Sequence, residues 1–182
     1  MLYYIHGYLS DPYSTKGKLF KEKLNAKPIK YRDCRPEDLI ISDCVKRIEN
    51  EIKEDQNAVL IGSSLGGFLA AKTALNNRNV KHIILFNPAI IPSYVDISKI
   101  QGMPQMILRD IQDIKLFKNK IRAKIDIFAG TLDDVVPNDW VVEFAKTQNV
   151  DVKFLIDDHS FSNNMDKLPE IINNILNKSI KK

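Results

Sequence analysis

A serine between glycines, a histidine near the C-terminal end and a pair of adjacent aspartates are the residues that could perform covalent chemistry here. The stretch Gly62-Ser63-Ser64-Leu65-Gly66 fits Gly-x-Ser-x-Gly. The apolar run Ala58-Val59-Leu60-Ile61 before it has the length and composition of a buried strand, and Gly67 to Ala74 after it reads as a helix. A tight turn between the two would lift the Ser64 hydroxyl above the sheet edge. The Leu65 N–H would point into the same space, at a helix N-terminus that favours negative charge. A serine of this kind needs a base, and the base needs an orienting group. His159, in Asp157-Asp158-His159-Ser160-Phe161, follows one predicted strand, and Asp133-Asp134 follows another.

Two other classes of function compete with nucleophilic catalysis. Gly-rich turns between strand and helix also bind phosphates, but Gly62 to Gly67 has neither Gly-x-Gly-x-x-Gly spacing nor a P-loop lysine. A non-catalytic binding protein is the second alternative, and the presence of serine, aspartate and histidine together counts against it.

The elements that must position these residues can be read in chain order. Met1–Ile5 is a short apolar strand ending in His6-Gly7-Tyr8-Leu9-Ser10. Ser14 can cap a helix with Leu19, Phe20 and Leu24 on its apolar side and four lysines outside. A second strand is expected over 28–34, and then a helix whose buried face is Ile41, Cys44, Val45, Ile48 and Ile52. Val80 to Phe86 is the next strand, with His82 placed too early in it to reach a C-terminal strand end, so His82 reads as structural. At least one helix is expected over 105–118, with Met106, Ile107, Ile111 and Ile114 on its apolar side. A strand over 123–129, a helix over 140–147, a strand over 150–156 and a terminal helix striped by Leu168, Ile171, Ile172, Ile175 and Leu176 complete the chain, and its last lysines read as a solvated end. Strands alternating with helices imply an α/β fold with a parallel sheet and right-handed crossovers. Every candidate residue then falls at a C-terminal strand end, where open α/β sheets bind ligands.

Composition narrows the partners. The 182 residues suit one domain, with 44% hydrophobic and 27% charged residues. A net charge of +4 without interleaved basic and aromatic residues argues against nucleic acid. Cys34 and Cys44 make no disulfide framework or metal-spaced cluster, and read as small buried hydrophobes. No leader is expected ahead of the first strand, and no run approaches the ~18 apolar residues of a membrane span. A cytoplasmic location follows as the expectation.

With these pieces in place, the order Ser…Asp…His and the strand positions resemble the α/β-hydrolase superfamily. The carrying residues are Gly62 to Gly66, Gly130-Thr131-Leu132-Asp133 with Val136-Pro137, and Asp158-His159. More narrowly, Tyr4-Ile5-His6-Gly7-Tyr8-Leu9-Ser10, Gly62 to Gly67, and Asn87-Pro88-Ala89 with Pro92 resemble the small YqiA-like esterases over nearly the whole chain. The superfamily's two leading strands are absent, which implies a minimal α/β-hydrolase domain over 1–182 with a six-stranded parallel sheet of order 2-1-3-4-5-6. The resemblance implies a Ser64–Asp133–His159 triad, with the Gly-x-x-Asp-x-x-Val-Pro register choosing Asp133 over Asp134. It implies an oxyanion hole of the Tyr8 and Leu65 N–H groups. Leu9, Val136 and Phe161 are expected to line the substrate site, with Tyr8, Tyr94 and Trp140 as further candidates. Residues 90–122 are either a minimal lid or a crossover segment. The implied substrate is a small-molecule ester with a short acyl chain, or alternatively a thioester, and no cofactor or metal is required.

Overall fold

The computed structural model describes the backbone of residues 1–180 and the side chains of residues 1–177; the terminal lysines expected to be solvated lie outside those side chains. The strands are β1 (Leu2–Ile5), β2 (Lys27–Pro28), β3 (Ala58–Ser63), β4 (Val80–Phe86), β5 (Lys124–Gly130) and β6 (Val152–Leu155). The helices are α1 (Thr15–Leu24), α2 (Ile41–Ile52), α3 (Leu65–Asn76), α4 (Gln105–Ile111), α5 (Lys115–Lys118), α6 (Asn138–Gln148) and α7 (Leu168–Ile180). The strands pair in parallel in the order β2-β1-β3-β4-β5-β6. This is the α/β-hydrolase arrangement without leading strands. Because β1 and β3 are neighbours, with Ile5 opposite Gly62, the His6-Gly7 loop emerges beside the Ser64 turn.

Period-two alternation divides the core between the two faces of the sheet. Tyr3, Ile5, Leu60, Ile83, Leu85, Ile125 and Ile127 face α2, α3 and α6. Tyr4, Ile61, Ile84, Phe86 and Phe128 face the other way, against Phe20 of α1 and Leu168, Ile172 and Ile175 of α7. The central strands are apolar on both sides because both sides are covered.

Several local expectations are corrected. The second strand is two residues long, because after Ile29 the chain leaves the sheet and gives Tyr31 and Arg32 to the loop after β1. The helix expected over 105–118 is broken: Gln112 leaves the helical region at ψ 53°, and its amide donates to the carbonyls of Pro92 and Val95 at 2.9 and 2.8 Å. Asp113 pairs with Lys72 of α3. Ile107 and Ile111 are buried as expected and are joined by Leu108 and Leu116, whereas Met106 and Ile114 are exposed. Cys34 is exposed, whereas Cys44 is buried. His82 is a structural residue, with Nε2 2.9 Å from Asp126. No helix among the described residues is long and apolar enough to cross a membrane.

Candidate active site

Ser64 sits at a sharp corner between β3 and α3, with φ 55° and ψ −121°. That left-handed backbone costs a non-glycine residue about 1–3 kcal/mol, so the surroundings must impose it. They do so through the main chain. The Ser64 N–H donates to Phe86 O at 3.0 Å, and the Ser64 carbonyl accepts from Gly67 and Ala89 at 2.8 and 3.1 Å. The flanking glycines are required by space. A Cβ on Gly62 would lie 2.4 Å from Gly66 O, and one on Gly66 would lie 2.1 Å from Ile5 O.

The Asp133 carboxylate lies 2.8 and 3.0 Å from His159 Nδ1. A carboxylate can only accept there, so Nδ1 is the donor of this bond. The Asp133 side chain is 1% exposed and that of His159 21%, so the pair is dry at the acid end and open at the base. Asp133 Oδ1 also accepts from the Val135 and Val136 N–H groups at 2.8 and 2.9 Å, which fixes its rotamer. Asp134 is exposed. Successive residues at the end of a strand project to different sides, and Asp133 has the inward one.

The loop after β1 is fastened from outside. The Tyr31 hydroxyl donates to Gly7 O at 3.2 Å, and Arg32 donates to Tyr8 O and Ser10 O, each at 2.7 Å. His6 stacks on Tyr31 with ring centroids 4.3 Å apart and donates from Nδ1 to Gly7 O at 2.9 Å. Burial pushes His6 down to about 4, so it is neutral and structural. A Cβ on Gly7 would lie 3.4 Å from Ser64 Cβ, which places this loop directly over the serine. No hydrogen bond within the described residues engages the Tyr8 or Leu65 N–H.

Ser64, Tyr8 and His159 line one cavity of about 700 Å³. Its apolar lining includes Ile91, Ile100, Met103, Leu108, Ile111 and Trp140, most of them from residues 90–122, and its polar lining includes Ser14, Lys16, Ser63, Ser160 and Ser162. Leu9 and Val136 border the cavity, Leu9 exposed and Val136 buried. Phe161 does not. Its backbone turns at φ 58°, and its fully buried ring packs edge-on against Phe86 at 5.3 Å, on the α1/α7 side of the sheet. It supports the loop from within the core, and its assignment as a substrate-lining residue is withdrawn. Tyr94 is solvent-exposed and lies outside the cavity wall. Among the described residues no group of three or more His, Cys, Asp or Glu side chains could hold a metal.

Comparison with known proteins agrees with this architecture. Residues 1–175 match the model of an uncharacterised protein family, UPF0227. The chain belongs to that family. None of the curated proteins matches it. Among solved structures it is similar to Est1E from Butyrivibrio proteoclasticus with ferulic acid bound, at TM-score 0.81 and 18% identity, over 100% of this chain and 89% of that one. It is also similar to mouse alpha/beta hydrolase domain-containing protein 10, at 0.77 and 18%, over 97% and 89%. The esterase Pf2001 of Pyrococcus furiosus is similar at 0.72 and 16%, over 99% and 81%. At these identities the likeness is one of fold.

Three further residues around the cavity hold its loops together, in roles that the sequence did not announce. Asn87, 1% exposed, joins three loops: its Nδ2 donates to Asp158 O and His159 O at 3.3 and 3.0 Å, and its Oδ1 accepts from Gly130 N–H at 2.8 Å. Asp157, fully buried, accepts from the N–H groups of Asp158, Asn163 and Asn164 and from Asn164 Nδ2, at 2.8 to 3.0 Å. Lys16 was grouped with the outward lysines of α1, yet it is 8% exposed and its Nζ donates to Ser63 Oγ at 3.3 Å. A sequence signal for it did exist. Lys16 lies four residues before Phe20, which is fully buried, and so shares that helix face.

Proposed function

We propose that this protein is a serine hydrolase that cleaves carboxylic esters through an acyl-enzyme. Ser64 Oγ attacks the ester carbonyl carbon and passes its proton to His159 Nε2. The carbonyl oxygen becomes an oxyanion facing the Tyr8 and Leu65 N–H groups, at the positive end of α3. The C–O bond to the alcohol then breaks, and the leaving oxygen takes the proton from His159. Water gives a proton to the same nitrogen, attacks the acyl carbon and releases the acid, and Ser64 regains its proton. Asp133 holds the imidazole tautomer and stabilises the imidazolium without taking the proton.

The observation that carries this reading is the His159 Nδ1–Asp133 pair at 2.8 Å, with His159 on the same cavity as a serine held at φ 55°. Fold likeness to named esterases supports it as an analogy. Residues 90–122 supply most of the apolar lining as a minimal lid, within the single domain expected. The cavity is in the range that encloses a drug-sized ligand, so it admits short acyl chains and bulkier ones.

A panel of acyl esters and thioesters of graded chain length, run against wild type and Ser64→Ala, is the test. Wild type is expected to hydrolyse esters and to be labelled at Ser64 by a fluorophosphonate, and Ser64→Ala to lose both. Equal hydrolysis by the two proteins would overturn the proposal.

A further inference from the structure

The polar lining of the cavity holds a charge that neither the fold nor the proposed chemistry uses. Lys16 sits in the first turns of α1 with its ammonium among the buried walls, 8% exposed. Its partners are one neutral hydroxyl, Ser63 Oγ at 3.3 Å, and the face of the Phe161 ring at 5.6 Å from Nζ. An ammonium has three donors, so most of its hydrogen-bonding capacity is unmet. Buried charges are ordinarily paired or removed, because desolvation penalises them.

The neighbouring carboxylates do not supply the pair. Asp158, Asp157 and Asp133 attract Lys16 through space, but their oxygens are committed elsewhere. Asp157 is held by four donors in its own loop. Asp158 accepts from the Ser162 N–H at 3.0 Å, and Asp133 faces His159. None of the three forms an ion pair with Lys16 among the described residues. The ammonium is instead turned to Ser63, the residue before the nucleophile, in the wall that Ser64 shares. Consecutive Cα atoms are about 3.8 Å apart, so a group a few bonds from the reacting carbonyl can reach it.

We infer that Lys16 is a specificity-determining residue that receives a carboxylate of the substrate, so that this site prefers esters carrying one negative charge. This rests on the reading of Ser64 as nucleophile. The number of charges follows from the surroundings. One cation stands against three nearby carboxylates, which repel a dianion such as a phosphate monoester more strongly than a monoanion. The Ser63 hydroxyl, which accepts from Lys16, keeps its own O–H to donate to the same group. The ammonium is shielded from water, so a carboxylate that displaces the remaining solvent gains a charge-assisted hydrogen bond.

The experiment uses reversible boronic acids, which bond to a nucleophilic serine without turnover, together with matched esters. Phenylboronic acid is compared by calorimetry with its 2-, 3- and 4-carboxy derivatives, and hemi-esters of short dicarboxylic acids are compared with their methyl-capped neutral partners. For wild type, at least one carboxylated member of each set is expected to exceed its neutral partner about tenfold in affinity or kcat/KM. In Lys16→Met that ratio falls to near one, and Lys16→Arg retains part of it. A wild-type ratio near one at every carboxylate position, with the boronic acids still bound, overturns the role of Lys16 and leaves Ser64 in place. A ratio that survives in Lys16→Met overturns it as well. If no boronic acid binds, charged or neutral, the reading of Ser64 fails and the inference falls with it.

Discussion

Replacing Lys16 by methionine is expected to stabilise the protein at neutral pH. Burial pushes the Lys16 ammonium down to about 8 from an ordinary 10.5, with partial opposition from Asp158, Asp157 and Asp133. That difference corresponds to roughly 3 kcal/mol by which folding disfavours the charged form. Methionine nearly matches lysine in length, is uncharged and tolerates irregular cavities. It loses the hydrogen bond to Ser63, worth about 1–2 kcal/mol. The balance is a gain of about 1–2 kcal/mol, or a rise in Tm of roughly 2–8 °C for a chain of this length. The pH dependence carries the sign. Between about 8 and 10.5 the unfolded chain keeps the Lys16 proton while the folded chain releases it, so wild-type stability rises with pH in that window relative to the variant. The groups sharing the cavity wall or acting on Lys16, namely Asp133, Asp157, Asp158, His159 and Tyr4, are present in both proteins. Urea unfolding of both at pH 7 and pH 10 reads the difference. A variant less stable at pH 7, or an advantage that does not narrow towards pH 10, would refute the reasoning.

Three further outcomes are expected. Asp133→Asn should lower kcat on a hydrolysed ester by ~10⁴-fold through the wrong histidine tautomer, and Asp134→Asn should lose far less; the reverse order would show that the buried carboxylate is not the orienting one. Asn87→Gly relieves the φ of 44° at this position but removes the links among three loops, so stability should fall by about 2–4 kcal/mol and kcat with it, as read by thermal unfolding and steady-state kinetics on one sample. His6 is held down to about 4 against 6.5 by burial, so the unfolded chain binds the extra proton between those values and roughly 3 kcal/mol of stability is lost as pH falls through them. His6→Phe should flatten that slope in an unfolding series from pH 7 to 4, whatever it does to stability at pH 7.

The sheet was legible because runs of strand length alternate with helical patterns, and its order was what the α/β-hydrolase resemblance implied once the His-Gly loop was placed after the first strand; the two-residue β2 was the least legible of the six. The Ser64 corner was legible for a steric reason: only glycine fits at positions 62 and 66 when the helix backbone crosses the strand this closely. The hidden parts depend on tertiary context. Lys16 looked solvated because lysines usually are, yet helical phase with Phe20 put it inside. Phe161 looked like a pocket aromatic because it follows His159, but its own positive φ accompanies a ring packed into the core on the α1/α7 side of the sheet. Asn87 acts through bonds to backbone atoms 43 to 72 residues away, and spacing alone cannot reveal such partners; Asp157 binds donors within its own loop, whose path only the folded chain fixes. The helix break at Gln112 depends on carbonyls 17 and 20 residues upstream, beyond the reach of any local periodicity.

The Asn87 side chain divides the cavity wall into two materials. It ties the carbonyls of Asp158 and His159 to the Gly130 amide, and so joins the loop that carries His159 to the end of the strand that leads to Asp133. The facing wall has no such anchor at its tip, where Gly102 stands at φ 83° with nothing within 4 Å of the position a Cβ would take. A side chain added at Gly102 would meet open space, its cost being the φ of 83°, and would change the mouth of the cavity without displacing a neighbour.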